Sequence, residues 1–154
     1  MLLVCLLTAS CDSTEQVASA PQHPVPSVDA DDFPYCGGVL KPGAATAYFH
    51  RLEDHLKVGD APVPMNFYGA QIGIESGGKY TQFNRDDFRP GARALLTNLQ
   101  WREILDRGYG DLKSIGWRGC VLADGKAAFQ AVDGELVLSS FDKDRAWAPS
   151  RRAL

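Results

Sequence analysis

Apolar side chains recur at Ala45, Tyr48, Phe49, Leu52 and Leu56, a spacing that puts one greasy stripe on a helix. The stretch Ala44–Val58 is therefore read as the first helix, with Pro42 just ahead of it and Gly59 as its stop. Val63–Ile74 is rich in aromatic and branched residues and predicts one or two strands. Gly77-Gly78 turns the chain into Tyr80–Phe83, and a short helical piece near Asp86–Phe88 is halted by Pro90. Thr97-Asn98-Leu99-Gln100 matches a capping box and opens a helix carrying Leu99, Trp101, Ile104 and Leu105, which ends at Gly108. Lys113–Leu122, Lys126–Val132 and Glu135–Phe141 are strand-like, and Asp124-Gly125 and Asp133-Gly134 between them are hairpin signals. The order predicts an α+β fold, with N-terminal helices packed on a curved antiparallel sheet that ends in a three-stranded meander.

The apolar pattern is confined. Every aromatic residue lies between Phe33 and Trp147, so one domain over residues 33–147 carries the core, and 148–154 reads as a flexible tail. Residues 12–32 are rich in Ser, Ala, Pro and Asp with no apolar periodicity, which predicts a disordered tether with a reach on the order of 25 Å. Charge follows the same division. Asp12–Tyr35 holds five acids and no Lys or Arg, whereas Cys36–Leu154 has sixteen bases against fourteen acids. Neither segment has the clustered basic face that a nucleic acid requires, so no nucleic-acid partner is expected.

The run Leu2–Leu7 is too short to span a bilayer, which takes about 20 residues. With Thr8-Ala9-Ser10-Cys11 it resembles the signal of a bacterial lipoprotein, whose cysteine is lipidated and becomes the mature N-terminus. Thr8 stands where that pattern prefers Leu, and no basic residue precedes the run, which suggests a start upstream of Met1. The resemblance implies a signal over residues 1–11, lipidation of Cys11, and a membrane partner through the lipid. Asp12 resembles an inner-membrane retention signal, so the expected location is the periplasmic side of the envelope, inner membrane favoured. Cleavage after Ala18-Ser19-Ala20 would instead give a secreted protein, and a plain frayed N-terminus is the third alternative. With Cys5 removed and Cys11 lipidated, Cys36 and Cys120 remain; an oxidising compartment would join them, while the alternative is two buried thiols.

Gly119–Phe129, with its turn at Asp124-Gly125 and its terminal aromatic, follows the Trp101 helix in an order that resembles the nuclear transport factor 2-like (cystatin-like) superfamily. The resemblance spans about residues 44–141. It implies a helix-covered conical sheet and leaves function open, because members include isomerases, dehydratases, ligand binders and inert interaction domains.

Chemical motifs are sparse. The chain has no H-E-x-x-H, phosphate-binding loop, G-x-G-x-x-G, G-x-S-x-G or C-x-x-C, so no catalytic residue, metal or cofactor is assigned. His50 and Asp54 lie one helical turn apart and are read chiefly as surface residues. Arg118 is read as a strand residue on the side of Cys120 and Leu122; if that side is covered, it needs an acid or an anionic ligand, and if it faces solvent, it is an ordinary cation with a packed stem. Tyr68 and Tyr80 are the other candidate pocket residues. The expected function is a non-catalytic, lipid-anchored envelope protein that binds another envelope protein or a small ligand, as an accessory or immunity-type factor. The alternative is a small-pocket, isomerase-like enzyme or carrier of an apolar ligand.

Overall fold

A computed structural model describes residues 35–88, 94–122 and 125–147. Two α-helices and six strands alternate along the described chain: α1 Ala44–Lys57, β1 Tyr68–Ser76, β2 Lys79–Asn84, α2 Asn98–Arg107, β3 Lys113–Ser114, β4 Cys120–Leu122, β5 Ala127–Val132 and β6 Glu135–Asp142. The class is α+β. The helices do not both come first, because the β1–β2 hairpin lies between them.

The strands form one sheet in the order β2-β1-β6-β5-β4-β3. Neighbours are antiparallel except β1 and β6, whose parallel contact brings the first hairpin alongside the last strand. Two hairpins turn through two-residue loops with positive φ at both positions, Gly77-Gly78 (64° and 69°) and Asp133-Gly134 (53° and 82°). That is the backbone that matches the twist of flanking strands. Residues 123–124 of the Asp124-Gly125 turn signal lie outside the described residues.

The chain departs from the simple strand reading between Lys113 and Leu122. Gly116 and Gly119 have φ of 70° and 111°, and a 3-10 turn over Gly116–Arg118 splits the expected strand into β3 and β4, which then pair with each other. Gly119 is required there on a second count, since a Cβ would collide with the Phe129 carbonyl oxygen. Arg118 is therefore a turn residue and is exposed. Its expected placement on a strand face shared with Cys120 and Leu122 does not hold.

One face of the sheet carries Ile72, Ile74, Leu122, Phe129, Leu138 and Phe141, all buried. On it lie α1, through Tyr48, Phe49, Leu52 and Leu56, and α2, through Trp101 and Ile104. Aromatic rings fill the interior edge to face: Tyr48 meets Phe67 at 5.3 Å and Phe129 at 5.8 Å, and Tyr68 meets Trp101 at 5.1 Å. Thr97 caps α2 as expected, its hydroxyl accepting from the Gln100 N–H while the Gln100 side chain accepts from the Thr97 N–H. Cys36 and Cys120 are joined in a disulfide with Cα atoms 5.0 Å apart, which ties the Tyr35–Val39 turn to β4.

After β6 the chain folds back. The Trp147 ring has the Arg107 guanidinium 5.4 Å and the Lys126 ammonium 5.2 Å from its centroid, and its indole N–H donates to Glu103 at 2.7 Å. Lys126 is 6% exposed and donates to the Arg145 carbonyl, with its ammonium over the Phe141 and Trp147 rings, so its buried charge has partners.

Candidate functional site

The residues proposed from the sequence fall on opposite faces of the sheet. Tyr68 starts β1 pointing under the helices, where it is fully buried against Trp101. Burial pushes its phenol up to about 12, a shift opposed by the Trp101 indole and the Leu96 backbone N–H. The Trp101 indole N–H itself has no acceptor in full hydrogen-bonding geometry. Tyr48 donates to the Phe67 carbonyl at 3.2 Å, and burial raises its pKa well above the ordinary phenol value. This side of the sheet is packed with side chains. Among the described residues its neighbourhood contains no buried carboxylate, and Lys126 is the buried charged residue.

Tyr80 and Arg118 both line an open groove of about 270 Å³ on the other face. Its floor is set by Gly73 and Ala128. The hydroxyl end of Tyr80 lies over Gly73: a Cβ there would come within 2.6 Å of the ring carbons Cζ and Cε2 and closer still to the hydroxyl oxygen. Glycine is thus what lets this side chain approach the backbone so closely, with 61% of the residue still exposed. Next to it Gln82 donates to Gln71 at 2.7 Å, joining β2 and β1 across their outer surface. Gln130 of β5 brings a third amide to the lining.

A bulge in β6 supplies the hydroxyls. Phe129 pairs with Leu138 but Ala128 pairs with Ser140, leaving Ser139 as an extra residue. The inserted residue restores parity, so Leu138 and Phe141 both enter the core while Ser139 and Ser140 both line the groove. Arg118 closes the lining from the 3-10 turn and is its single charged member. It makes no hydrogen bond or ion pair with the described residues.

The groove was only half legible from the sequence. Tyr80 and Arg118 are candidates on sequence grounds, whereas Gln71, Gln82 and Gln130 carry no sequence signal that sets them apart. The one local signal for the site was a glycine interrupting β1 two strand positions from the residue opposite Tyr80.

Other candidates do not assemble. His50 approaches Glu53 at 3.8 Å and not Asp54, and His55 contacts the Ala61 carbonyl oxygen at 3.2 Å, so the His50–Asp54 pair is not formed. No group of three or more His, Cys, Asp or Glu side chains able to hold a metal occurs among the described residues. No described helix is long and apolar enough to cross a membrane, and Cys11 lies outside the described residues. No described protein family, no curated protein and no solved structure matches this chain.

Proposed function

We propose that this is a lipid-anchored bacterial envelope protein whose domain binds a ligand or partner without transforming it. The observation that carries the reading is the Cys36–Cys120 disulfide, because such bonds persist in oxidising compartments and are rare in the cytosol. The Leu2–Cys11 run adds a lipidation signal that leads to the same compartment, and Asp12 favours the inner membrane. Residues 12–32 are the tether, 33–147 the domain and 148–154 the tail. The domain belongs with the nuclear transport factor 2-like folds, a reading supported by buried Trp101 on α2 and buried Phe129 on β5, with β4, β5 and β6 as its terminal meander.

The polar groove favours binding over catalysis. It presents amides, hydroxyls and one cation, but no carboxylate or imidazole that would serve as a general base. An isomerase-like enzyme would want an acid and a phenol within reach of each other in an enclosed cavity, whereas the buried phenols of Tyr48 and Tyr68 are packed among rings.

Anchoring is tested by labelling with radioactive palmitate in a Gram-negative host that expresses the full chain. Label should enter the wild type, vanish with Cys11→Ser, and fractionate with the inner membrane. Label retained by Cys11→Ser, or a wild-type protein found only in the soluble fraction, overturns the reading.

A further inference from the structure

We infer that the open-face groove binds an acidic sugar residue of a glycan, its ring on Tyr80 and its carboxylate on Arg118. The inference rests on the reading of the domain as a binding module and names the ligand class for its groove.

Three features select this chemistry. The first is the platform. Because Gly73 has no side chain, the hydroxyl end of Tyr80 rests over it, and the residue stays 61% exposed, so its ring is accessible. An aromatic face carries negative quadrupole charge, and the C–H groups along one side of a pyranose are its complement. The ring is also rigid, with two side-chain torsions to order on binding.

The second feature is the lining. Gln71, Gln82 and Gln130 each offer both donors and an acceptor, and the two serines of the β6 bulge do the same. A sugar hydroxyl also donates and accepts, so such side chains satisfy vicinal hydroxyls in a way that apolar linings do not. The third is Arg118. A guanidinium with no partner among the described residues is matched to a planar carboxylate, which it holds through two parallel N–H bonds.

The groove is poorly suited to other polymers. It lies on the face of the sheet over β2, β1, β6 and β5, and of these strands β2 alone has an edge, unpaired among the described residues, that an extended peptide could join. A nucleic-acid backbone needs several cations, and the lining holds one.

The test uses the full chain carrying Cys11→Ser, titrated with short oligogalacturonates and, in parallel, with neutral galactose oligomers of the same length. Calorimetry should show the acidic oligomer binding about tenfold or more tightly, the difference a charge-assisted contact supplies. Its amide shifts in NMR should centre on Gln71, Gln82 and Gln130. Arg118→Gln should bring the acidic oligomer to the neutral level. Tyr80→Ala should weaken both, and Tyr80→Phe should restore them; unchanged melting of the three exposed-site variants shows that each is folded.

The inference fails if acidic and neutral oligomers bind alike, if Tyr80→Ala is silent, or if the shifts map elsewhere. It also fails if an extended peptide produces the same shifts more strongly. A dimer that Tyr80→Ala dissociates in sedimentation would assign the face to a second copy of this chain instead. Palmitate labelling that holds while the sugar titration is silent would leave the anchoring intact and remove this inference alone.

Discussion

The Asp144 carboxylate accepts from both amides of the β1–β2 turn, Gly78 at 2.8 Å and Gly77 at 3.0 Å. Those bonds, the one from Gly78 foremost, hold its pKa below the ordinary carboxylate range. A depressed folded-state pKa means that the contribution to stability is present above the unfolded value, near 4, and is lost as pH falls through the folded value. Acid titration followed by NMR should move the Gly77 and Gly78 amides together in the wild type, and Asp144→Asn should remove that acid step. The buried phenols act at the opposite end of the scale. Burial raises Tyr48 and Tyr68, the latter to about 12, so the unfolded chain ionises first on the alkaline side. Stability that is complete below pH about 10 should decline as pH rises toward 12, seen as a falling melting temperature. Tyr68→Phe should flatten part of that decline, and an alkaline profile identical to the wild type would contradict the assignment.

Elements show where the chain was readable and where it was not. Helix α2 was legible to the residue, because its capping box is a local arrangement that depends only on Thr97 and Gln100. Thr97→Ala should cost about 1 kcal/mol in denaturant unfolding, with Thr97→Ser costing much less. The Asp133-Gly134 turn was legible for the same reason, since positive φ is needed at both positions and those residues accept it. The β3–β4 break was not. Residues 113–122 alternate well enough to pass as one strand, and only the approach of Gly119 to the Phe129 carbonyl, a contact between segments distant in sequence, reveals the turn. The β6 bulge was hidden too, because periodicity cannot distinguish an extra residue from a change of face. Both hidden features shape the groove. The break places Arg118 at its rim and the bulge places two serines in its wall, so the site was less legible than the core that supports it.

For the molecule as a whole, the Cys36–Cys120 bond links positions 84 apart in sequence. In the chain-entropy account a closure of that length stabilises by about 4–5 kcal/mol, a large share of what a domain of this size has. Reduction, or Cys36→Ser, should therefore shift the urea midpoint strongly downward, and a midpoint that does not move would show that the closure contributes little. The same bond also governs how the domain would respond to a pull. Tension applied to the chain ahead of Tyr35 and taken up beyond Trp147 passes from Cys36 through sulfur to Cys120 and on into β5 and β6. Residues 37–119, with α1, α2 and the β1–β2 hairpin, fall outside that load path. Stretched from its ends while oxidised, the protein can lengthen only by the segments outside the loop, and reduction would release the rest of the contour.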